Sequence, residues 1–382
     1  MARTAVAPIT PRCYGAFRGQ KREVKNTKGD FRKAKAVVIK NMKFLSFGES
    51  LLRLRPQGHE RFFQSNLMEA TFGGSEANVA VSLANFGADS AYVTVLPEGP
   101  AADGCIRTLR GLGVDVSGIR RGEGRMGIYF VENGAGQLPS RVIYDRAYSA
   151  FSLAGPGAID WERVAEGCGW LHLSGISPAV SESAMELTLE AAKFARKKGM
   201  TVSLDLNYRK NLWNYGRDAG EVLRELTGLS DLLIANDEHI RRILGVDCPG
   251  DFDAFCPAPE TYQRLCAATL SAFPKLRAVA VSLRRTHSAD WNDIAGYFMD
   301  ESGFYTSKRY EIRNIVDRIG SGDSFTAGLI FGLNEWEDRR RALEFAVASA
   351  CLKHSIPGDM NRVGRDEVEK LAFDGGDGRV ER

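Results

Sequence analysis

The residues of this 382-residue chain best placed to do chemistry are Gly320-Ser321-Gly322-Asp323. They lie between the apolar pair Ile315-Val316 and a run in which Phe325, Leu329, Ile330 and Leu333 recur at helical spacing. Two glycines allow backbone angles that a side chain forbids, and the first amides of a helix lack intrahelical acceptors, so this turn can aim several N–H groups at an anion. An acid in such a turn repels the anion unless it takes a proton from the group that attacks it, which makes Asp323 a candidate general base. The plainer alternative is that Asp323 or Ser321 caps the helix, which accounts for the acid but not for both glycines. A second pair, Gly73-Gly74, precedes another helical pattern (Val79, Leu83, Phe86) and is followed by Asn78, whose amide can both donate to and accept from hydroxyl groups.

These turns need a frame. Lys43–Phe47 predicts a first strand, residues 51–66 a pair of exposed strands about a Pro-Gln-Gly turn, Ser90–Val95 a strand and Ala101–Gly111 a helix. Further on, Leu171–Ser174, Val202–Leu206, Leu232–Ala235 and Val279–Leu283 read as strands, and Ser181–Lys198, Glu238–Leu244 and Tyr262–Phe273 as helices. Short apolar strands between amphipathic helices predict an α/β fold whose mostly parallel sheet is covered on both faces, with ligands beyond the carboxyl ends of its strands. Asp205, Asn207, Arg209, Asn236 and Glu238 fall at or just after such ends. Gly122-Glu123-Gly124-Arg125-Met126-Gly127 spells the dinucleotide fingerprint, but β-rich Ile128–Glu132 follows where that motif needs a helix, so a turn is expected instead. The segment 127–148 predicts two strands that, with residues 51–66, would make a small sheet apart from the main one.

The run Asp317-Arg-Ile-Gly320-Ser-Gly322-Asp323-Ser-Phe325-Thr-Ala-Gly328 resembles the C-terminal signature of the ribokinase-like (PfkB) carbohydrate kinases, D-T-T-G-A-G-D-x-F-x-x-G, with Arg318-Ile319 in place of the Thr pair. Gly73-Gly74-Ser75-Glu76-Ala77-Asn78-Val79-Ala80 resembles the N-terminal one, G-G-x-x-x-N-x-A. The resemblance implies a three-layer α/β/α ribokinase-like fold with a small β-sheet lid over the sugar. It implies Asp323 as the base, the amides of Gly320, Ser321, Gly322 and Asp323 as the anion hole, and Gly73, Gly74 and Asn78 as sugar contacts.

Three further words resemble the members that phosphorylate 2-keto-3-deoxygluconate: Asp205-Leu-Asn207-Tyr-Arg209-Lys-Asn-Leu-Trp213, Gly127-Ile-Tyr129-Phe, and Lys353-His-Ser-Ile-Pro-Gly-Asp359. The similarity covers residues 43 to about 372. It implies ATP and Mg2+ as cofactors and a sugar acid phosphorylated on its C6 hydroxyl. A sugar acid needs a cation, and a guanidinium binds a carboxylate through two parallel N–H bonds. Arg209 is the first candidate and Arg146 the second, with Tyr129 and Asn207 also on the substrate. Asn236, Ser282, Arg284 and Ser349 are implied for the nucleotide, whose adenine would lie between the segment after Leu283 and the helix Ala342–Leu352. Glu238 is implied for magnesium, through water. Val131 stands where many of these kinases carry an Arg, and His239 where Glu is usual. A fructokinase or another PfkB sugar kinase, and a non-catalytic relative, are the competing readings.

Composition sets the remaining bounds. At 44% hydrophobic the chain can bury a large core, and no apolar run is long enough to cross a membrane. Residues 1–41 carry eleven Lys/Arg against two acids, so the net +3 hides a body at −6. This basic segment has no serine and no apolar core of a signal peptide, and reads as an unstructured extension or an upstream start rather than a nucleic-acid tail. Residues 42–372 are then the kinase domain and 373–382 a flexible tail. Seven scattered cysteines without a C-x-x-C pair fit reduced thiols in a cytoplasm, and no transition-metal site is expected. Lid strand edges predict pairing with a second copy, hence a homo-oligomer.

Overall fold

The computed structural model describes residues 42–252 and 258–375. The expected extension over residues 1–41, the stretch 253–257 and residues 376–382 lie outside the described residues.

The main sheet runs in the order Gly303–Thr306, Trp291–Asp300, Ala278–Ser288, Leu232–Ala235, Thr201–Asp205, Cys168–Ser174, Lys43–Phe47, Asp89–Val93, with Tyr310–Arg313 also paired to Trp291–Asp300. From Ala278–Ser288 to Asp89–Val93 every pairing is parallel, and the strands are nearly continuous apolar runs because both of their faces are covered. Alternation sorts the side chains. Leu45, Phe47, Leu233, Ala235, Val279 and Val281 enter one core with the helix Glu182–Lys198, whereas Phe44, Leu232, Ile234, Ala278 and Ala280 enter the other with the helices Ser75–Asn85 and Ser321–Glu335. Helix ends follow the residues that specify them: Ser181 accepts the Ala184 amide at the start of Glu182–Lys198, and Gly199 closes it in the left-handed conformation.

Two expectations need correction. The exposed strand pair lies not within residues 51–66 but at Leu51–Pro56 and Met68–Gly73, because Pro56-Gln57-Gly58 opens a loop that occupies the stretch between them. The run Ala278–Ser288 is also longer than Val279–Leu283 and leads into three antiparallel strands that the sequence reading did not contain. Their mixed polarity and weak alternation hide the strand period.

The small sheet has the order Met68–Gly73, Leu51–Pro56, Gly127–Glu132, Arg141–Asp145. The glycines at 122–127 form a turn that enters the strand Gly127–Glu132, with no helix after them.

Candidate active site

The carboxyl ends of the parallel strands, the two glycine turns and the inner face of the small sheet enclose one cavity of about 990 Å³. Gly320, with φ 82°, caps the helix Ser321–Glu335 without any side-chain cap, and a Cβ there would lie 2.0 Å from the Asp359 carbonyl oxygen. Only glycine tolerates both the angle and the approach. The Ser324 amide bonds to the Gly320 carbonyl, the Ser321 hydroxyl donates to the Arg318 carbonyl, and the amides of Gly322 and Asp323 have no acceptor among the described residues. Two bare N–H groups thus point from a helix start that lines the cavity.

Asp323 does not serve as a cap. Its Oδ1 accepts the Ser75 hydroxyl at 2.7 Å and its Oδ2 the Asn78 amide at 2.7 Å, which ties the two glycine turns together. Asn207, in a left-handed conformation (φ 32°), donates through Nδ2 to Ser75 Oγ at 3.1 Å and to Ser174 Oγ at 3.0 Å, so a strand end supports the serine that supports the acid. Burial pushes the Asp323 carboxyl above its ordinary range, while the bonds from Asn78 and Ser75 partly offset it. The neighbouring Asp205 carboxyl is pushed up to about 7 by burial and then by the Asp323 charge, with Arg209 opposing. Two carboxyls sharing one space favour a single negative charge near neutrality.

Cations line the same cavity. Arg209, Arg284 and Arg318 face the cavity and have no carboxylate partner among the described residues. Arg209 is exposed, and its Nη1 donates only to the Tyr208 carbonyl at 3.2 Å. Burial, then repulsion from Arg318 and Arg209, lowers the Arg284 value. Arg146 is different: it is buried and paired with Glu49, whose other oxygen takes the Ser149 hydroxyl, leaving Arg146 Nη1 unpartnered.

The small sheet is fastened beside the glycine turn by a buried ionic knot. Arg53 is 0% exposed and donates through Nη1 to Asp359 Oδ1 at 2.6 Å and through Nη2 to Asp317 Oδ2 at 2.5 Å. Tyr129, in register with Arg53 on the next strand, donates its hydroxyl to the same Asp359 oxygen. Burial works against the Arg53 charge, but Asp359 and Asp317 outweigh it and hold the guanidinium above its ordinary value. Lys353, buried close by and bonded to the Ile356 carbonyl, is pushed down to about 8 by burial despite those two acids.

Residues 44–363 match the pfkB family of carbohydrate kinases. The chain belongs to that family. A 2-dehydro-3-deoxygluconokinase of Thermotoga maritima is 42% identical and superposes with a TM-score of 0.82 over 87% of this chain and 99% of its own. A 2-dehydro-3-deoxygalactonokinase of Haloferax volcanii is 32% identical over 338 residues, 88% of this chain and 98% of that one. A 2-dehydro-3-deoxygluconokinase of Bacillus subtilis is 25% identical over 340 residues, 86% of this chain and 94% of that one. The protein is therefore a carbohydrate kinase of the 2-dehydro-3-deoxygluconokinase-like group, and its large and four-stranded sheets are the main sheet and lid of the ribokinase-like fold.

Of the residues singled out in the kinase sequence, Gly320, Ser321, Gly322, Asp323, Gly74, Asn78, Tyr129, Arg146, Asn207, Arg209, Asn236, Glu238, Ser282 and Arg284 all line the cavity. Gly73 does not; it sits against the Asp359 carboxylate, 2.0 Å from where a Cβ would be. Ser349 is turned away as well. Helical periodicity presents Val347, Ala350 and His354 to the cavity, while the Ser349 hydroxyl bonds to Ser324 at 2.6 Å between two helices. Asn236 caps the helix Asp237–Arg242 by accepting the His239 amide, and Glu238 is exposed and paired with Arg242.

No group of three His, Cys, Asp or Glu side chains that could hold a metal occurs among the described residues. The residues present would suit a magnesium ion that arrives on phosphates and keeps its waters, for which Asp237 and Glu238, both on the cavity wall, would be the nearest candidates through water.

Sequence reasoning missed Ser75 and Arg53, and quoted Asp359 without giving it a task. Arg53 alternates with Leu52 and Leu54, a pattern that reads as an outward-facing arginine, yet in the strand Leu51–Pro56 the arginine is buried and those leucines are only partly so.

Proposed function

We propose that this kinase transfers the γ-phosphoryl group of ATP to the C6 hydroxyl of a 2-keto-3-deoxy sugar acid, with 2-keto-3-deoxygluconate as the first candidate. One observation carries the reading: the Asp323 carboxylate stands where the bare amides of Gly322 and Asp323 meet the hydroxyl-binding wall of Ser75, Asn78 and Asn207. A hydroxyl placed against Asp323 gives up its proton as its oxygen attacks phosphorus, and the amides take part of the charge that builds on the transferred group. Magnesium, when bound, screens the phosphate oxygens. Tyr129 and Tyr144 of the lid bound the sugar side and exclude water, which would otherwise compete as acceptor.

Arg209 gives the acid its counterion, because it is a cavity guanidinium not already neutralised by a carboxylate. The galactonate epimer is the second substrate to test, given the similarity to the Haloferax volcanii enzyme. A coupled assay with ATP and 2-keto-3-deoxygluconate, 2-keto-3-deoxygalactonate and fructose decides the class: both acids should exceed fructose in kcat/KM by about 100-fold, two charge-assisted bonds being worth ~3 kcal/mol. Fructose turned over as well as either acid would sink the sugar-acid reading. Replacing Arg209 by Ala should raise the KM for the acid ~10–100-fold with kcat little changed. An equal rise with a neutral sugar would show that Arg209 serves something other than the carboxylate.

The lid edges Met68–Gly73 and Arg141–Asp145, with Val142 and Ile143 exposed, support pairing with a second copy. Sedimentation at micromolar concentration should then show a dimer or larger; a fully active monomer would remove this element. Cys105, Cys168, Cys248, Cys266 and Cys351 are free thiols, in keeping with the reducing cytoplasm proposed for this kinase; no described helix is long and apolar enough to cross a membrane.

A further inference from the structure

Three arginines around the cavity are cancelled where they stand. Arg146 is paired with Glu49, Arg241 with Asp237 and Arg242 with Glu238. Arg318 is held differently. Its Nη2 donates to three neutral oxygens, the Ser288 carbonyl at 3.2 Å, the Ala289 carbonyl at 3.0 Å and Asn292 Oδ1 at 3.1 Å, and no carboxylate pairs with it among the described residues. Asn292 is itself fully buried. These acceptors all come from the hairpin that joins the strands Ala278–Ser288 and Trp291–Asp300, so the guanidinium is fixed without losing its charge. The side chain lines the cavity two residues before Gly320, and Nη1 takes part in none of these bonds. Burial lowers the Arg318 value, and the charge of Asp290 in the same hairpin opposes this only in part, without an ion pair between them.

We propose that Arg318 is a catalytic residue, a fixed guanidinium that stabilises the negative charge on the phosphoryl group in transfer. This rests on the kinase reading given above. A group held rigid by neutral acceptors suffers little reorganisation when charge develops, and a cation in a partly dry site acts more strongly than in water. Arg209, exposed and with one weak tether, meets neither condition. The position also explains why this chain carries Arg318 where the related motif has Thr: the side chain is long enough to rest on the hairpin while its head faces the cavity.

The test compares wild type with Arg318→Ala and Arg318→Gln, the second keeping a donor for the hairpin oxygens without the charge. Expected are a fall in kcat of ~10²–10³-fold, the size seen on loss of one such donor, a sugar-acid KM within about threefold, and partial recovery of Arg318→Ala by millimolar guanidinium chloride but not by equal sodium chloride. The same variants should bind ADP normally but ADP with tetrafluoroaluminate, a planar phosphoryl mimic, at least tenfold more weakly. A kcat within threefold of wild type in either folded variant overturns the proposal, as does a loss expressed mainly in the KM of the sugar. If Arg318→Ala unfolds, Arg318→Gln decides. Wild type inactive on every sugar acid removes the parent reading alone, because the tetrafluoroaluminate comparison still judges Arg318.

Discussion

Replacing Asp323 by Asn should lower kcat by ~10²–10⁴-fold, the usual contribution of a general base, and leave nucleotide affinity nearly unchanged. The substitution suits the site structurally. Asn Oδ1 can still accept the Asn78 amide, and its Nδ2 can donate to Ser75 Oγ, whose hydroxyl proton is free to rotate. A folded protein with both turns in place is therefore expected, and the loss should belong to proton transfer. Wild-type kcat should also carry an acid limb above the range of an ordinary carboxylate, because burial raises the Asp323 value and only the ionised form accepts a proton. The sign is fixed: activity is lost as pH falls through the raised value. Turnover of Asp323→Asn within tenfold of wild type, or a limb at the usual position of an exposed acid, would remove Asp323 from the role.

The second large effect concerns stability. Arg53→Met should destabilise the protein by ~3–5 kcal/mol, the cost of removing one member of a buried ionic group and leaving the others uncompensated. Asp359 and Asp317 would face each other without the guanidinium between them, and the apolar length of Met fills the volume without supplying a proton. Burial already pushes the Asp359 carboxyl up, with Arg53 as the first opposing influence. Without that influence the carboxyl should protonate more readily, so the deficit shrinks as pH falls. Adding Asp359→Asn to Arg53→Met should recover part of the loss, and chemical denaturation of the singles and the double measures it. A single variant within 1 kcal/mol of wild type would show that the knot does not hold the lid, whatever its geometry.

Much of this was legible in the sequence and some was not, for physical reasons. Parallel strands buried on both faces leave strong local signals, and Lys43–Phe47 and Leu232–Ala235 have the bounds that their apolar runs suggest. The glycine turns could be read because backbone geometry restricts which residues can stand there, as at Gly320. The antiparallel strands from Trp291 onward could not, since their partners lie on other strands and their residues are mixed in polarity. Arg53 was hidden for a similar reason: its partners Asp317 and Asp359 lie more than 260 residues away, and nothing local distinguishes a buried arginine from a solvated one. Ser349 misled because it belongs to a helix that lines the cavity but stands on the side turned away from it.

Asp323 spends one lone pair of each oxygen on a fixed donor, Ser75 on one side and Asn78 on the other. What is left can receive a proton from only a narrow range of directions. With Asp323 as the proposed base, the choice of which oxygen of a polyhydroxylated substrate reacts would become a matter of aim, settled by the angle at which the sugar is presented and not by which hydroxyl is most acidic.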